Sequence, residues 1–83
     1  MSSSEKRMQD LLYILVKPLV NHPEEIDITP IDQGNTVLLE IRVSPDDMGK
    51  VIGKGGRRAE AIRTIMKAQA SRLGRRVMVD IVG

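Results

Sequence analysis

Val51-Ile52-Gly53-Lys54-Gly55-Gly56-Arg57-Arg58-Ala59-Glu60-Ala61-Ile62 places three glycines within four positions and follows them at once with two arginines. Such a run forces the backbone to turn sharply and lets it come close to another molecule. The residues after it have helix-forming character, so the loop feeds a helix N-terminus, where free N–H groups and the helix dipole favour a negatively charged oxygen. Lys54, Arg57 and Arg58 add cations around the same point. Together these features describe a seat for a phosphodiester backbone. A plain helix–helix turn is the alternative, but it would need one glycine and no basic flank. A Walker A loop needs four residues between its first glycine and the Gly-Lys-Ser/Thr end; Gly49 and Gly53 are one residue too close, and Gly55 stands where the hydroxyl belongs. The dinucleotide fingerprint Gly-x-Gly-x-x-Gly after a strand fits neither in spacing nor in the preceding element.

Outward from the loop, the apolar periods set the elements. Downstream, a helix is expected from about Arg57 to Arg72, with Gly74 as its stop. Ala59, Ile62, Met66, Ala70 and Leu73 form one stripe at about 100° per residue, and Ala61, Ile65 and Ala68 form a second, neighbouring sector. Arg76-Val77-Met78-Val79-Asp80-Ile81-Val82 alternates as a final strand. Upstream, Ser44-Pro45-Asp46-Asp47 is a helix start: a capping hydroxyl, a proline at the first helical position, and carboxylates at the positive end. Only about one and a half turns precede the glycines. Thr36 to Val43 reads as a strand with Val37, Leu39, Ile41 and Val43 on one face. Asp32-Gln33-Gly34-Asn35 is turn chemistry, and Ile26 to Thr29 reads as a short strand stopped at Pro30. From Glu5, the apolar positions Met8, Leu11, Leu12, Leu15, Val16, Leu19 and Val20 mark a first helix, with a kink or frayed last turn expected at Pro18.

The order is α-β-β-α-α-β, an α+β fold. Two hairpin-linked strands, a helical crossover and one more strand predict a three-stranded mixed sheet with a right-handed parallel crossover. The helices should pack on one face of it. Residues 5–83 make one domain, behind a flexible tail over residues 1–4.

Composition narrows the function. There is no cysteine, so neither a disulfide framework nor a zinc knuckle is available. Tyr13 is the sole aromatic residue, which excludes a reader built on stacking base after base. No apolar run approaches the length of about 20 residues that a membrane span needs, and the start has no apolar core in the secretory pattern. A cytoplasmic module is the expectation. The net charge of +2 hides an asymmetry: residues 1–49 hold four basic and nine acidic side chains, whereas residues 50–76 hold nine basic ones and only Glu60. That is the footprint of a polyanion site, although a solvated helix face could look the same. His22 stands alone, without a second histidine or a cysteine, so no metal site is expected. Asp46 and Asp47 read as capping residues, not as catalytic carboxylates. No nucleophile–base–orienter set can be assembled, and neither an enzyme nor a cofactor is expected.

Val51-Ile52-Gly53-Lys54-Gly55-Gly56, followed by Ile62, resembles the KH-domain signature, in which a Gly-x-x-Gly loop joins two helices; Gly53 and Gly56 are its outer glycines. The element order resembles the type II, bacterial arrangement. Ala59 departs from the signature, which usually has a larger aliphatic residue there. From Met8 to Val82 the chain is similar to the small single-KH bacterial KhpA (YlqC) family, most closely at Leu15-Val16-Lys17-Pro18-Leu19-Val20, at the loop, and at Ala61-Ile62-Arg63-Thr64-Ile65. The resemblance implies single-stranded RNA as partner, clamped by the loop over about four nucleotides with the bases in an apolar groove beside it. Ile52, Gly53, Lys54, Gly55, Gly56, Arg57, Arg58 and Arg75 are the expected contacts. It also implies an RNA-chaperone or post-transcriptional role linked to cell envelope synthesis and cell shape, self-pairing, and a larger KH-containing partner, KhpB. Ala61, Ile65 and Ala68 are the candidate dimer surface; the alternative is that Ile65 sits at the margin of a thin core. An interaction adaptor that binds RNA only secondarily is the competing function.

Overall fold

The structure, a computed structural model, describes residues 3–83. Helix α1 (Ser3–Val16) starts two residues before the expected Glu5; of the expected tail over 1–4, Met1 and Ser2 lie outside the described residues. Pro18 ends α1 as its missing N–H requires, and a single 3-10 turn, Lys17–Leu19, carries the chain out of the helix. Strands β1 (Asp27–Gln33) and β2 (Thr36–Arg42) follow, then the short helix α2 (Met48–Ile52), helix α3 (Arg57–Arg72) and strand β3 (Arg76–Val82).

The sheet order is β1-β2-β3, with β1 antiparallel and β3 parallel to the central strand. This is the mixed sheet that the element order demands. Two boundaries differ from expectation. Strand β1 runs through Pro30 to Gln33, because β1 is an edge strand and pairs on one side only, where a missing N–H is tolerated. The connection is correspondingly tighter: Gln33 pairs with Thr36, leaving Gly34 and Asn35 as a two-residue hairpin with positive φ at its first position alone, the pattern of a type II′ turn. Asp32 Oδ1 accepts from the Gly34 N–H at 2.9 Å and fixes that turn.

Helices α1 and α3 cover one face of the sheet. Met8, Leu12 and Val16 from α1, Ile62, Met66 and Ala70 from α3, and Val37, Leu39, Ile41, Val77 and Val79 from the sheet form one buried cluster. The sheet-facing stripe of α3 is therefore the one its period marks, with Ala59 also buried and Leu73 half-buried. Helix α3 stops as Gly74 predicts: the Arg75 N–H donates to Ala70 O at 2.8 Å and the Gly74 N–H to Ser71 O at 3.1 Å, a Schellman closure. Among the described residues, no helix is long and apolar enough to cross a membrane.

The acidic pair after Ser44 divides its work differently from the capping expectation. Ser44 Oγ accepts the Asp46 N–H, so the cap is the serine's. The Asp47 side chain is buried and makes no cap bond to its own helix. Its two oxygens accept the N–H groups of Asn21, at 3.1 Å, and His22, at 3.0 Å, pinning the loop after α1 to the start of α2. Burial pushes the Asp47 carboxyl up, but those two N–H bonds, with the charges of His22 and Lys50, outweigh it and hold the group below its ordinary range.

Candidate nucleic-acid interface

Helices α2 and α3 are joined by Gly53 to Gly56, and the loop's shape comes from three residues with positive φ: Gly53 (φ 77°), Gly55 (φ 66°) and Gly56 (φ 75°). They do different jobs. A Cβ on Gly53 would stand 2.6 Å from Arg58 Cβ, so α3 packs directly on this glycine. At Gly55 and Gly56 a Cβ would meet nothing within 4 Å, so the rest of the loop faces open space. The Gly56 N–H closes back on Gly53 O at 3.1 Å. Gly56 is also the N-cap of α3, and no side chain caps the helix there. The first turn of α3 thus lies beside an exposed, tightly folded backbone, which is the geometry that accepts a phosphate oxygen.

The cations sort into three groups. Lys54 and Arg57 are exposed, and among the described residues neither makes a hydrogen bond or an ion pair that would draw it away from the loop. Arg58 turns its guanidinium back to the carbonyl of Lys50, tying the last turn of α2 to the first turn of α3 while its charge stays beside the loop. Arg75, which its charge alone groups with the loop, stands beyond the other end of α3. It donates to Ser4 Oγ at 3.1 Å, Asp32 Oδ1 at 3.3 Å and Gly34 O at 3.0 Å, and its side chain is only 18% exposed. It is a clasp between α1, the hairpin and the end of α3, and the structure does not bring it to the loop. Ile52 is half-buried at the loop's edge, next to the fully buried Val51.

Further along α3 lies a groove that sequence patterning did not single out by residue. Because α3 is the crossover between parallel strands, it runs back along β3, the second edge of the sheet. Between them lies a depression of about 170 Å³ lined by Arg63, Lys67, Val77, Met78 and Val79. It continues into a wider one of about 470 Å³ where Lys67 is joined by Asn35, Ser71, Gly74, Arg76 and Arg75, whose guanidinium is tied to Ser4, Asp32 and Gly34. Arg63 reaches across: its Nε donates to Val79 O at 3.3 Å and its Nη1 pairs with Glu60 at 3.3 Å. The available signal was the four-residue spacing of Arg63 and Lys67, read together with the crossover topology. The groove floor is aliphatic and its rim is basic, which suits unstacked bases beside a phosphate path.

On the outer side of α3, Ile65 is 44% exposed and Ala61 and Ala68 are exposed with it. Ile65 does not enter the core. With Leu11 and Leu73 it borders a shallow hollow of about 530 Å³ that Arg7, Ala68, Gln69 and Arg72 complete. Elsewhere, His22 Nδ1 lies 3.6 Å from Glu24 Oε1 and 3.9 Å from Glu25 Oε2 at a surface 3-10 turn.

The sequence matches the KhpA/KhpB KH-domain family over residues 9–81. It is 45% identical over 75 residues to the RNA-binding protein KhpA of Clostridium perfringens, a match covering 90% of this chain and 100% of that one. To the RNA-binding protein KhpA of Listeria monocytogenes the identity is 43%, over 90% and 99% of the two chains. For the protein of that name from Aquifex aeolicus it is 40%, over 90% and 95%. Among solved structures, an Aquifex aeolicus Era variant bound to GDP and aluminium fluoride superposes with a TM-score of 0.54 at 22% identity, over 95% of this chain and 29% of that one. The likeness to Era is one of fold alone.

Proposed function

Since the chain belongs to the KhpA/KhpB family of KH domains, we propose that it binds single-stranded RNA, holding the backbone at Gly53 to Gly56 and laying bases along the groove between α3 and β3. The observation that carries this reading is the pair Lys54 and Arg57: two unengaged cations beside open glycines at the uncapped start of α3. Relatives at 40–45% identity bear the name RNA-binding protein, in support. The groove holds no aromatic residue, so base affinity comes from aliphatic contact and hydrogen bonds, and one copy binds weakly with little sequence preference. The work is binding, without a catalytic step, in the cytoplasm. An RNA-chaperone or post-transcriptional role, tied to envelope synthesis and cell shape as in the family, is the cellular reading.

The protein pairs with itself through the Ala61–Ile65–Ala68 face, or with KhpB through the same face. Pairing sets two loops on one particle and raises RNA affinity by avidity, with no new RNA contact. The exposure of Ile65 also favours a second reading, an adaptor in which pairing is the function and RNA is incidental.

The deciding experiment replaces Lys54→Asp and Gly55→Asp together. Gly55 has open space around it, and aspartate tolerates the left-handed backbone better than most residues, so the fold is retained. RNA binding by fluorescence anisotropy is abolished. A folded double variant with undiminished affinity would move the site off the loop and leave the adaptor reading.

A further inference from the structure

Among the described residues, the helices cover one face of the sheet and leave the other bare. On that bare face the strand register sets three adjacent rows across the sheet: Gln33, Thr36 and Arg76; then Ile31, Leu38 and Met78; then Thr29, Glu40 and Asp80. The middle row is an apolar band in water, with Met78 59% exposed, Ile31 40% exposed and Leu38 half-buried. The rows on either side differ in charge. Glu40 and Asp80 are direct cross-strand partners of like sign, an arrangement that costs stability. Among the described residues no cation forms an ion pair with either of them; Arg42, in the next row, is turned to the Gly83 carbonyl. Among the described residues Arg76 also has no ion-pair partner, and four residues along a strand put it about 13 Å from Asp80, out of reach.

We propose that this face is a contact between two copies of the chain, related by a two-fold axis lying along the apolar row. Such an axis sets Met78, Leu38 and Ile31 over their own counterparts and exchanges the rows on either side. Arg76 of each copy then faces Asp80 of the other, beside Glu40, so the acidic pair that the single chain leaves uncompensated meets a cation from across the contact. An isologous contact must be self-complementary, and this register is. The acidic row also repels phosphate, so RNA is not the occupant of its Glu40–Asp80 side, although Met78 and Arg76, on the edge strand, border the α3–β3 groove as well. Three strands of seven residues offer roughly 300 Å² per copy from strand spacing and rise, well under the roughly 800 Å² per partner of a stable complex. The association is therefore weak and reversible. It is separate from the Ile65 face, which lies on the helical side of the molecule.

The test is sedimentation equilibrium from micromolar to millimolar protein, without RNA, on Ile65→Asp so that the helical face does not contribute. Concentration-dependent dimerisation is expected in this variant. Arg76→Asp alone and Asp80→Arg alone each weaken it by at least about tenfold, since each reversal sets like charges together at both symmetry-related pairs. The two substitutions together swap the charges and restore it. Should Ile65→Asp not fold, the same charge series on the unsubstituted chain reads the contact as growth beyond its smallest assembly. No self-association at millimolar protein, single reversals without effect, or a double swap that fails to restore pairing would each overturn the proposal.

Discussion

Gly53 and Gly55 both have positive φ, but Gly53 (φ 77°, ψ 172°) lies in a region essentially confined to glycine and is also crowded. Gly55 (φ 66°, ψ 19°) is in the αL region and open, so unequal costs are predicted. Alanine at Gly55 meets open space and bears the strain of a left-handed residue alone, about 1–2 kcal/mol. Alanine at Gly53 adds a clash with Arg58 on α3, so roughly 3 kcal/mol is expected. Urea denaturation of the two variants checks the order; equal losses would contradict both the glycine-only backbone and the close packing of α3 at Gly53. Asp47 gives a second residue-scale expectation. Its folded-state acidity is depressed, so the stability it contributes is fully present above the unfolded carboxyl value and is lost as pH falls through the folded one. The stability gap between the native chain and Asp47→Asn should hold constant across neutral pH and close below about pH 4, near the ordinary aspartate value. A gap that persists in acid would assign the effect to shape. Neither role was legible in the sequence, where Asp47 reads as a cap: its partners, Asn21 and His22, lie more than twenty residues away, and no local pattern points to them.

At the scale of elements, periodicity carried most of the information and pairing position carried the rest. The α3 stripe was readable because burial on one side of a helix imposes a repeat of about 3.6 residues. The length of β1 was not, because whether Pro30 ends a strand depends on which edge of the sheet that strand occupies. Arg75 shows the limit of charge counting: nine cations in one third of the chain outline a polyanion site, yet this one is held by Ser4, Asp32 and Gly34. Arg75→Ala should therefore lower stability by about 1 kcal/mol, since its carboxylate partner is solvent-screened, and leave RNA affinity within about twofold. A large affinity loss without a stability loss would return Arg75 to the RNA site. On the outer side of α3, Ile65→Asp should give a native-like circular dichroism spectrum, half the mass by light scattering in dilute solution, where the weak contact of the open sheet face is dissociated, and weaker RNA binding through lost avidity. A folded variant that remains dimeric by light scattering would place the pairing elsewhere.

Over the whole molecule, charge is divided between two surfaces. The loop and the α3–β3 groove present cations, while the open sheet face presents Glu40 and Asp80. With two to four phosphates neutralised by Lys54, Arg57, Arg63 and Lys67, the log–log dependence of single-strand affinity on salt should have a slope of about −1.5 to −3. A flat titration would argue against backbone clamping. The most direct measurement is a backbone amide NMR titration with a short unstructured RNA. The largest shifts should fall on Lys54 to Ala59 and continue through Arg63, Lys67 and Val77 to Val79, leaving Thr29, Ile31, Leu38 and Glu40 unmoved. Shifts centred on the open sheet face or around Ile65, with Gly53 to Arg57 silent, would contradict it.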